Sequence, residues 1–278
     1  MMNSKYINEH EYSNFSQNGE DGIIEFLTNK LVKNNKYFVE IGCGNGLENN
    51  STNLVLNKWS GFVCDLQKNI KQYKRLLKII KPKKNIGCFE LLITLENLKH
   101  IIDEIEIKQI SFLSLDIDSY DFYIMFEMLK NNIFPRIICV EYNPFFGKEP
   151  LTVLYKPNAK GYYFHKERLL YFGASLNAWK LLFKKYGYEF ICVDKNGVNA
   201  FFILSKHFNK NISEYEGLQF VYTKIWVDTH GMAKINSDVP EGIVELICCC
   251  LEEDRERRYS SAIDLLAAVE SNFPGMDF

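Results

Sequence analysis

Several features are scarce in this chain of 278 residues, and each scarcity excludes a class of protein. No apolar run approaches the roughly 20 residues that a bilayer-spanning helix needs, so we expect no membrane span. Residues 1–18 are polar and contain no apolar core, which predicts that a signal peptide is absent. The formal net charge of −2 leaves no basic excess, so we expect no nucleic-acid partner.

The cysteines show no spacing typical of a zinc site. Three of them are consecutive, at residues 248–250, and cannot easily share one tetrahedral metal ion. A lysine-rich run at residues 81–84 is interpreted as a solvated loop. The other cysteines fall in or beside predicted strands, which indicates reduced core residues of a cytoplasmic protein: Cys43, Cys64, Cys88, Cys139 and Cys192.

Predicted strands and helices alternate along most of the chain, and 47% hydrophobic residues are enough for a substantial core. The alternation predicts an α/β fold with a mostly parallel sheet, and a closing hairpin that turns at residues 195–197 predicts one antiparallel strand. Helices are predicted over 20–33, 52–58, 68–80, 95–105, 120–131 and 170–186. Strands are predicted over 37–41, 61–65, 86–89, 110–117, 136–141, 188–193 and 198–204.

The most informative segment is the first predicted strand with its following turn, Glu40-Ile-Gly42-Cys-Gly44-Asn-Gly46. Because glycine has no Cβ, such a turn lets backbone N–H groups approach a ligand closely. Its spacing, G-x-G-x-G, differs from the G-x-G-x-x-G fingerprint of dinucleotide sites. Glu40, the acid before the turn, suits a ligand that carries a cationic amine better than one that carries a pyrophosphate.

Acidic residues also fall at the ends of the later strands, where open α/β sheets bind their ligands: Asp65, Asp116, Asp118 and Glu141. Asp65 follows the turn at a distance that lets a carboxylate bind both hydroxyls of a ribose, as in many nucleotide-binding folds. Helix capping or a solvated loop is the alternative for each acid taken alone.

The glycine turn with its acid resembles motif I of the class I S-adenosylmethionine-dependent methyltransferases. Further segments are similar to a bacterial group related to the FkbM-type methyltransferases: residues 16–21, 115–121, 141–144, 171–176 and 197–202. At the fourth strand the usual FkbM pattern, Asp-x-Glu-Gly-x-Glu, is replaced by Asp116-Ile-Asp118-Ser-Tyr-Asp121. The substrate of that family is therefore not carried over.

The resemblance implies a Rossmann-like class I methyltransferase sheet with S-adenosyl-L-methionine as cofactor. It implies that Glu40 holds the cofactor amine, that Asp65 binds the ribose and that residues 88–90 lie near the adenine. The implied cofactor-binding residues are Gln17, Glu40, Gly42, Gly44, Asn45, Gly46, Asp65 and Asp116.

The implied reaction is O-methylation of a sugar or another small polar acceptor in glycan or natural-product biosynthesis. An alcohol acceptor needs a base, and the candidates are Asp118, Glu141 and His165. A structural residue of the aromatic segment 162–166 is the favoured alternative for His165. Alternatively, Asp118, Glu141 and Asn143 hold a Mg²⁺ that lowers the pKa of the acceptor.

The sequence predicts a methyltransferase domain over 1–210 and an appendage over 211–278. The appendage is similar to the last helices of the protein-kinase C-lobe, yet the chain has none of the kinase catalytic motifs. It is read as a small helical unit for dimerisation or for covering a sheet edge. A non-catalytic binding or scaffolding module with the same fold stays an alternative, and an NAD-dependent oxidoreductase fits less well because of the glycine spacing.

Overall fold

The computed structural model describes residues 7–105, 109–155, 172–207 and 232–234. Its α-helices are α1 Glu20–Leu31, α2 Thr52–Leu56, α3 Gln67–Ile80, α4 Leu98–Ile105, α5 Asp121–Lys130 and α6 Leu176–Lys185. Its strands are β1 Tyr37–Ile41, β2 Ser60–Asp65, β3 Ile86–Glu90, β4 Phe112–Leu115, β5 Ile137–Glu141, β6 Leu151–Val153, β7 Tyr188–Val193, β8 Asn199–Leu204 and β9 Met232–Lys234. Short 3₁₀ turns cover Ile7–His10, Pro144–Phe146 and Ser205–His207.

Seven strands form one sheet in the order β3-β2-β1-β4-β5-β8-β7. The first five run parallel, and β8 lies antiparallel to both β5 and β7. The predicted α/β architecture, with a mostly parallel sheet and one reversed strand, is therefore confirmed. The strand order changes direction at β1 and β4, and this is where open α/β sheets leave a crevice for a ligand.

Alternating side chains of the strands build a core on each face of the sheet. In β1, Val39 packs with the residues of α4, α5 and α6, whereas its neighbour Phe38 packs with those of α1, α2 and α3. This two-residue alternation matters for the site, because every second residue near a strand end points to the same face.

Helix ends account for most differences from the sequence prediction. The helix predicted over 170–186 begins at Leu176, because the Ser175 hydroxyl caps it by accepting a hydrogen bond from Ala178 N at 3.1 Å. Residues 172–175 are not helical, since Gly173 has a φ of 61°. The second predicted helix ends at Leu56, two residues before Lys58 adopts a left-handed φ of 65°.

Little of the predicted appendage is described. Strand β9 lies within 211–278 and pairs antiparallel with β6, which belongs to the region predicted as the methyltransferase domain. The other residues of 211–278, including the cysteines 248–250, lie outside the described residues. Among the helices of the described ranges, none is both long and apolar enough to cross a bilayer.

Candidate active site

A cavity of about 230 Å³ opens beyond the carboxyl ends of β1, β2 and β4. Its walls come from the glycine turn after β1, the start of α3, the segment after β3 and the loop after β4. The lining residues are Ile41, Gly42, Gly44, Cys64, Asp65, Leu66, Asn69, Leu91, Leu92, Ile93, Thr94, Asp116, Ile117, Asp118, Ser119 and Tyr120.

The charge of this cavity is of one sign. Asp65, Asp116 and Asp118 contribute three carboxylates, and none of the described lining residues is a lysine, an arginine or a histidine. A cavity of this composition attracts a cationic group and repels a pyrophosphate. The sequence predicts these acids at one edge of the sheet, and in the structure they line one cavity.

The three glycines of the turn have different functions. A Cβ on Gly42 would lie 1.5 Å from the carbonyl oxygen of Asp116, so Gly42 allows the tips of β1 and β4 to approach each other. A Cβ on Gly46 would lie 2.3 Å from the ring of Tyr73, and Gly46 does not line the cavity. At Gly44, whose φ is 55°, a Cβ would meet no atom closer than 3.9 Å. Gly44 is therefore the position that leaves room for a ligand.

The Asp65 side chain links the glycine turn to the start of α3 by hydrogen bonds. One carboxylate oxygen accepts from Gly44 N at 2.6 Å, and the other accepts from Leu66 N at 2.5 Å and Asn69 Nδ2 at 2.9 Å. Because the carboxylate lies at the tip of β2 and in the cavity wall, its position fits the ribose-binding role predicted for it.

Glu40 has different surroundings from those that the resemblance implies. Its carboxylate accepts from Asn49 Nδ2 at 2.7 Å, from Asn50 N at 2.8 Å and from the Ser51 hydroxyl. In β1 it points to the same face as Phe38, toward α2 and α3, and it does not line the cavity. Glu40 thus anchors the loop before α2, and the prediction that it contacts the cofactor amine receives no support from this geometry.

Burial raises the pKa of Glu40 from 4.5 to about 7, although its hydrogen-bond donors oppose the shift. Tyr73, Cys43 and Asp116 are its titratable neighbours. Between pH 4.5 and 7 the folded protein keeps a proton on Glu40 that the unfolded chain releases. The free energy of unfolding therefore falls as pH rises through this window, by up to about 3 kcal/mol from this group.

We expect a Glu40→Gln variant to lose this contribution to the pH dependence. Urea unfolding at a series of pH values from 5 to 8 measures it, and the variant should show the shallower decline. A slope remains because burial also raises the pKa of Asp121 and of Asp194 to about 6. An unchanged slope in the variant would show that Glu40 is charged throughout this pH range.

Asp116, Asp118 and Glu141 form a cluster at the ends of β4 and β5. One oxygen from each carboxylate lies within 4.8 Å of the others. Burial raises the pKa of Asp116 and of Glu141 well above their usual values, and the nearby Asp118 carboxylate adds to both shifts. Asp116 raises the pKa of Glu141 further, whereas a hydrogen bond with Glu141 lowers that of Asp116. Oε2 of Glu141 is buried without a hydrogen-bond partner. This donor set is chemically suited to a proton shared between carboxylates or to a hard divalent cation.

Asp121 holds the loop that carries Asp118, a function that the sequence analysis did not assign. Its buried carboxylate accepts from Ile117 N at 2.8 Å and from Ser119 N at 2.9 Å. Asp118, between these two donors, adopts a left-handed φ of 52° and projects into the cavity wall. Strained backbone of this kind is common at functional sites. The position of Asp121 in the first turn of a predicted helix is the sequence signal from which its binding of nearby backbone N–H groups could be predicted.

Asn143, which is predicted among the metal ligands, makes local hydrogen bonds with its side chain. Its Oδ1 accepts from Phe145 N at 3.0 Å and its Nδ2 donates to Phe172 O at 3.1 Å. The side chain is used to cap the 3₁₀ turn Pro144–Phe146. Asp116 is the third carboxylate of the cluster, beside Asp118 and Glu141.

Gln17 and Asn45 lie outside the cavity wall. Gln17 is exposed and donates to Glu48 at 3.3 Å, and Asn45 accepts from Leu47 N at 2.8 Å. The residues predicted near the adenine, 88–90, belong to β3, and the cavity is instead lined by residues 91–94, which directly follow. His165 and its aromatic neighbours lie outside the described residues.

Two segments that carried the FkbM-type resemblance meet in the fold. Asn199, at the start of β8, donates to the buried carboxylate of Glu20 at 2.5 Å. Asn199 is also the register partner of Glu141 across the β5–β8 pair. Residues 16–21 and 197–202 therefore contact each other next to the ends of β5 and β8, and they do not line the cavity.

The comparisons with known proteins give similarity of structure without similarity of sequence. No protein-family model matches the chain, and no curated protein is significantly similar to it. A S-adenosylmethionine-dependent methyltransferase from Clostridium acetobutylicum aligns at 12% identity over 66% of this chain and 90% of its own, with a TM-score of 0.40. An O-methyltransferase from Bacillus cereus, in complex with S-adenosylhomocysteine, aligns at 12% identity over 70% and 81%, with a TM-score of 0.44.

An O-methyltransferase of neocarzinostatin biosynthesis aligns at 14% identity over 61% of this chain, with a TM-score of 0.36. The chain spans only 49% of that protein. Similarity of this degree carries no argument about activity. The sheet itself, with its order and its reversed β8, has the Rossmann-like architecture of class I methyltransferases.

Proposed function

We propose that the protein is a S-adenosylmethionine-dependent O-methyltransferase. The observation that carries this proposal is the acidic cavity at the tips of β1, β2 and β4, with Gly44 open to it. S-adenosylmethionine bears a sulfonium and an ammonium group, and three carboxylates favour such a ligand over the negatively charged pyrophosphate of NAD. The residues present therefore fit this cofactor.

Each part of the cavity has a role in this proposal. Asp65 would bind the ribose hydroxyls, and Gly44 N, which now donates to Asp65, would be close enough to donate to the cofactor. Residues 91–94 supply an apolar wall for the adenine. The bound cofactor supplies an electrophilic methyl group, so the protein has mainly to position an acceptor in line with it.

The acceptor in this proposal is a sugar or another small polar hydroxyl compound of glycan or natural-product biosynthesis. Asp118 lies in the cavity wall and is exposed, so its carboxylate can accept a hydrogen bond from an acceptor hydroxyl and remove its proton. Glu141, buried beside Asp116, stabilises the proton in the cluster.

A divalent cation such as Mg²⁺ is proposed as an optional partner of the same cluster. Asp116, Asp118 and Glu141 would hold it, and the unpartnered Oε2 of Glu141 gives one ligand atom that nothing else satisfies. Such an ion would lower the pKa of a coordinated hydroxyl.

Titration calorimetry with S-adenosylhomocysteine, and with NAD as the control ligand, tests the cofactor. We expect micromolar binding of the first and no detectable binding of the second, because only the first lacks a pyrophosphate. Binding of NAD alone, or of neither ligand, would contradict the proposal and would leave the glycine turn with a structural role only.

A further inference from the structure

Helix α3 and the loop that follows it form a basic surface in a protein whose formal net charge is −2. Between Leu66 and Phe89 the chain contains no aspartate or glutamate. Eight of its 33 lysine and arginine residues lie in this interval, and all eight are exposed: Lys68, Lys71, Lys74, Arg75, Lys78, Lys81, Lys83 and Lys84. We call this set the basic surface of α3.

The opposite side of α3 fixes the orientation of this surface. Ile70 and Tyr73 are buried against the sheet, and Leu77 packs partly on the same core. The cationic side chains therefore face away from the protein, along a helix about 20 Å long. Since α3 lies over β2 and the edge strand β3, the basic surface occupies one border of the molecule.

The protein itself neutralises little of this charge. In the described ranges the basic surface takes part in one ion pair, between Lys74 and Glu90 at 3.2 Å. That pair is solvent-exposed and contributes little to stability. Lys71 and Glu90 also interact at longer range, but the other members have no acidic side chain within 4.0 Å among the described residues.

An aliphatic side chain stands within the basic surface. Ile79 is 76% exposed, more than any other large hydrophobic residue of the described chain. It follows Arg75 by one helical turn, so the two side chains share a face. The exposed residues of α3 include no aromatic ring, whereas proteins that bind single-stranded nucleic acid stack its bases on aromatic side chains.

From this combination we infer that α3 docks the protein onto an anionic lipid surface. The cations match the phosphate headgroups in charge, and Ile79 can enter the boundary between headgroups and acyl chains. Leu66, which precedes α3, and Asn69, in its first turn, also line the cavity. Docking through α3 therefore brings the cavity close to the lipid surface. This inference is independent of the reaction proposed above.

Co-sedimentation with lipid vesicles tests the inference. The full chain should sediment with vesicles of mixed phosphatidylglycerol and phosphatidylcholine, and added salt should release it because salt screens the charges. It should not sediment with vesicles of phosphatidylcholine alone. A triple variant, Lys71→Gln, Arg75→Gln and Lys78→Gln, should bind the mixed vesicles about 100-fold more weakly. Ile79→Ser should weaken binding at high salt in particular.

The matched control is a triple variant on the other face of the sheet, Lys99→Gln, Lys184→Gln and Lys185→Gln. These lysines are exposed on α4 and α6, and their replacement changes the net charge by the same amount. Absence of binding to the mixed vesicles, equal binding to neutral vesicles, or an equal loss in the control triple would overturn the inference. Binding of an RNA oligonucleotide that depends on the α3 cations, without vesicle binding, would overturn it in favour of a nucleic-acid surface.

Discussion

Replacement of Gly44 by valine is expected to lower the affinity for S-adenosylhomocysteine by about 100-fold while the fold is retained. A side chain at this position meets open space, so it does not disturb the core. It would, however, stand beside Asp65, at the N–H that we assign to the cofactor. Calorimetry measures the affinity, and circular dichroism confirms that the variant is folded.

Gly187 provides the matched control for this substitution. Its φ of 79° is also left-handed, a Cβ on it would meet nothing within 4 Å, and it lies in the turn between α6 and β7, away from the cavity. Both valine variants carry a similar backbone strain of about 1–2 kcal/mol. Only Gly44→Val should lose the ligand. Equal losses in both variants would attribute the effect to strain, and normal binding by Gly44→Val would remove the turn from the cofactor site.

The sheet could be predicted from the sequence because its signals are local. Strands such as β2 and β5 are short buried runs that end in an acid, and the hairpin of β7 and β8 turns at glycine and asparagine. Short, right-handed connections between such strands leave few possible arrangements. Convergence of the acids at one edge then follows from the parallel direction of the strands.

The contacts of individual site residues could not be predicted in the same way. Whether Glu40 faces the cavity or the loop before α2 depends on where residues 49–51 fold, and no pattern in β1 contains that information. Gly42 and Gly46 look equivalent to Gly44 in the sequence, yet only the fold shows that a Cβ on either of them would collide with its tertiary neighbours. Asn143 is predicted as a ligand because its amide oxygen is suitable, but the sequence does not reveal that a local backbone N–H donates to this oxygen.

The charge of α3 shows a limit of whole-chain averages. The net charge of −2 predicts no nucleic-acid partner, but this average hides eight neighbouring cations because acidic residues elsewhere in the sequence offset their charge. The lysine run was visible in the sequence, but the exposure of Ile79 beside it depends on which face of the helix packs on the sheet. Only the fold defines this surface.

Substitution of Asp118 by asparagine or of Glu141 by glutamine is expected to slow methyl transfer by about 100- to 10,000-fold, with the affinity for S-adenosylhomocysteine nearly unchanged. Both substitutions keep the size of the side chain and remove a carboxylate from the cluster. Release of S-adenosylhomocysteine in the presence of a panel of sugar acceptors measures the transfer, and calorimetry measures the affinity. Asp103→Asn, an exposed acid on α4, is the control and should be fully active.

The same variants separate the two functions that the cluster can have. If its carboxylates hold a divalent cation, calorimetry should detect Mg²⁺ or Mn²⁺ binding that Asp116→Asn, Asp118→Asn and Glu141→Gln each abolish, and a chelator should stop the transfer. If Asp118 acts as a base, the chelator should have no effect and Asp118→Asn should remain the most damaging change. Full turnover in both Asp118→Asn and Glu141→Gln would exclude the cluster from the chemistry. The acceptor would then have to be activated by residues beyond the described cavity wall, where His165 was predicted from the sequence.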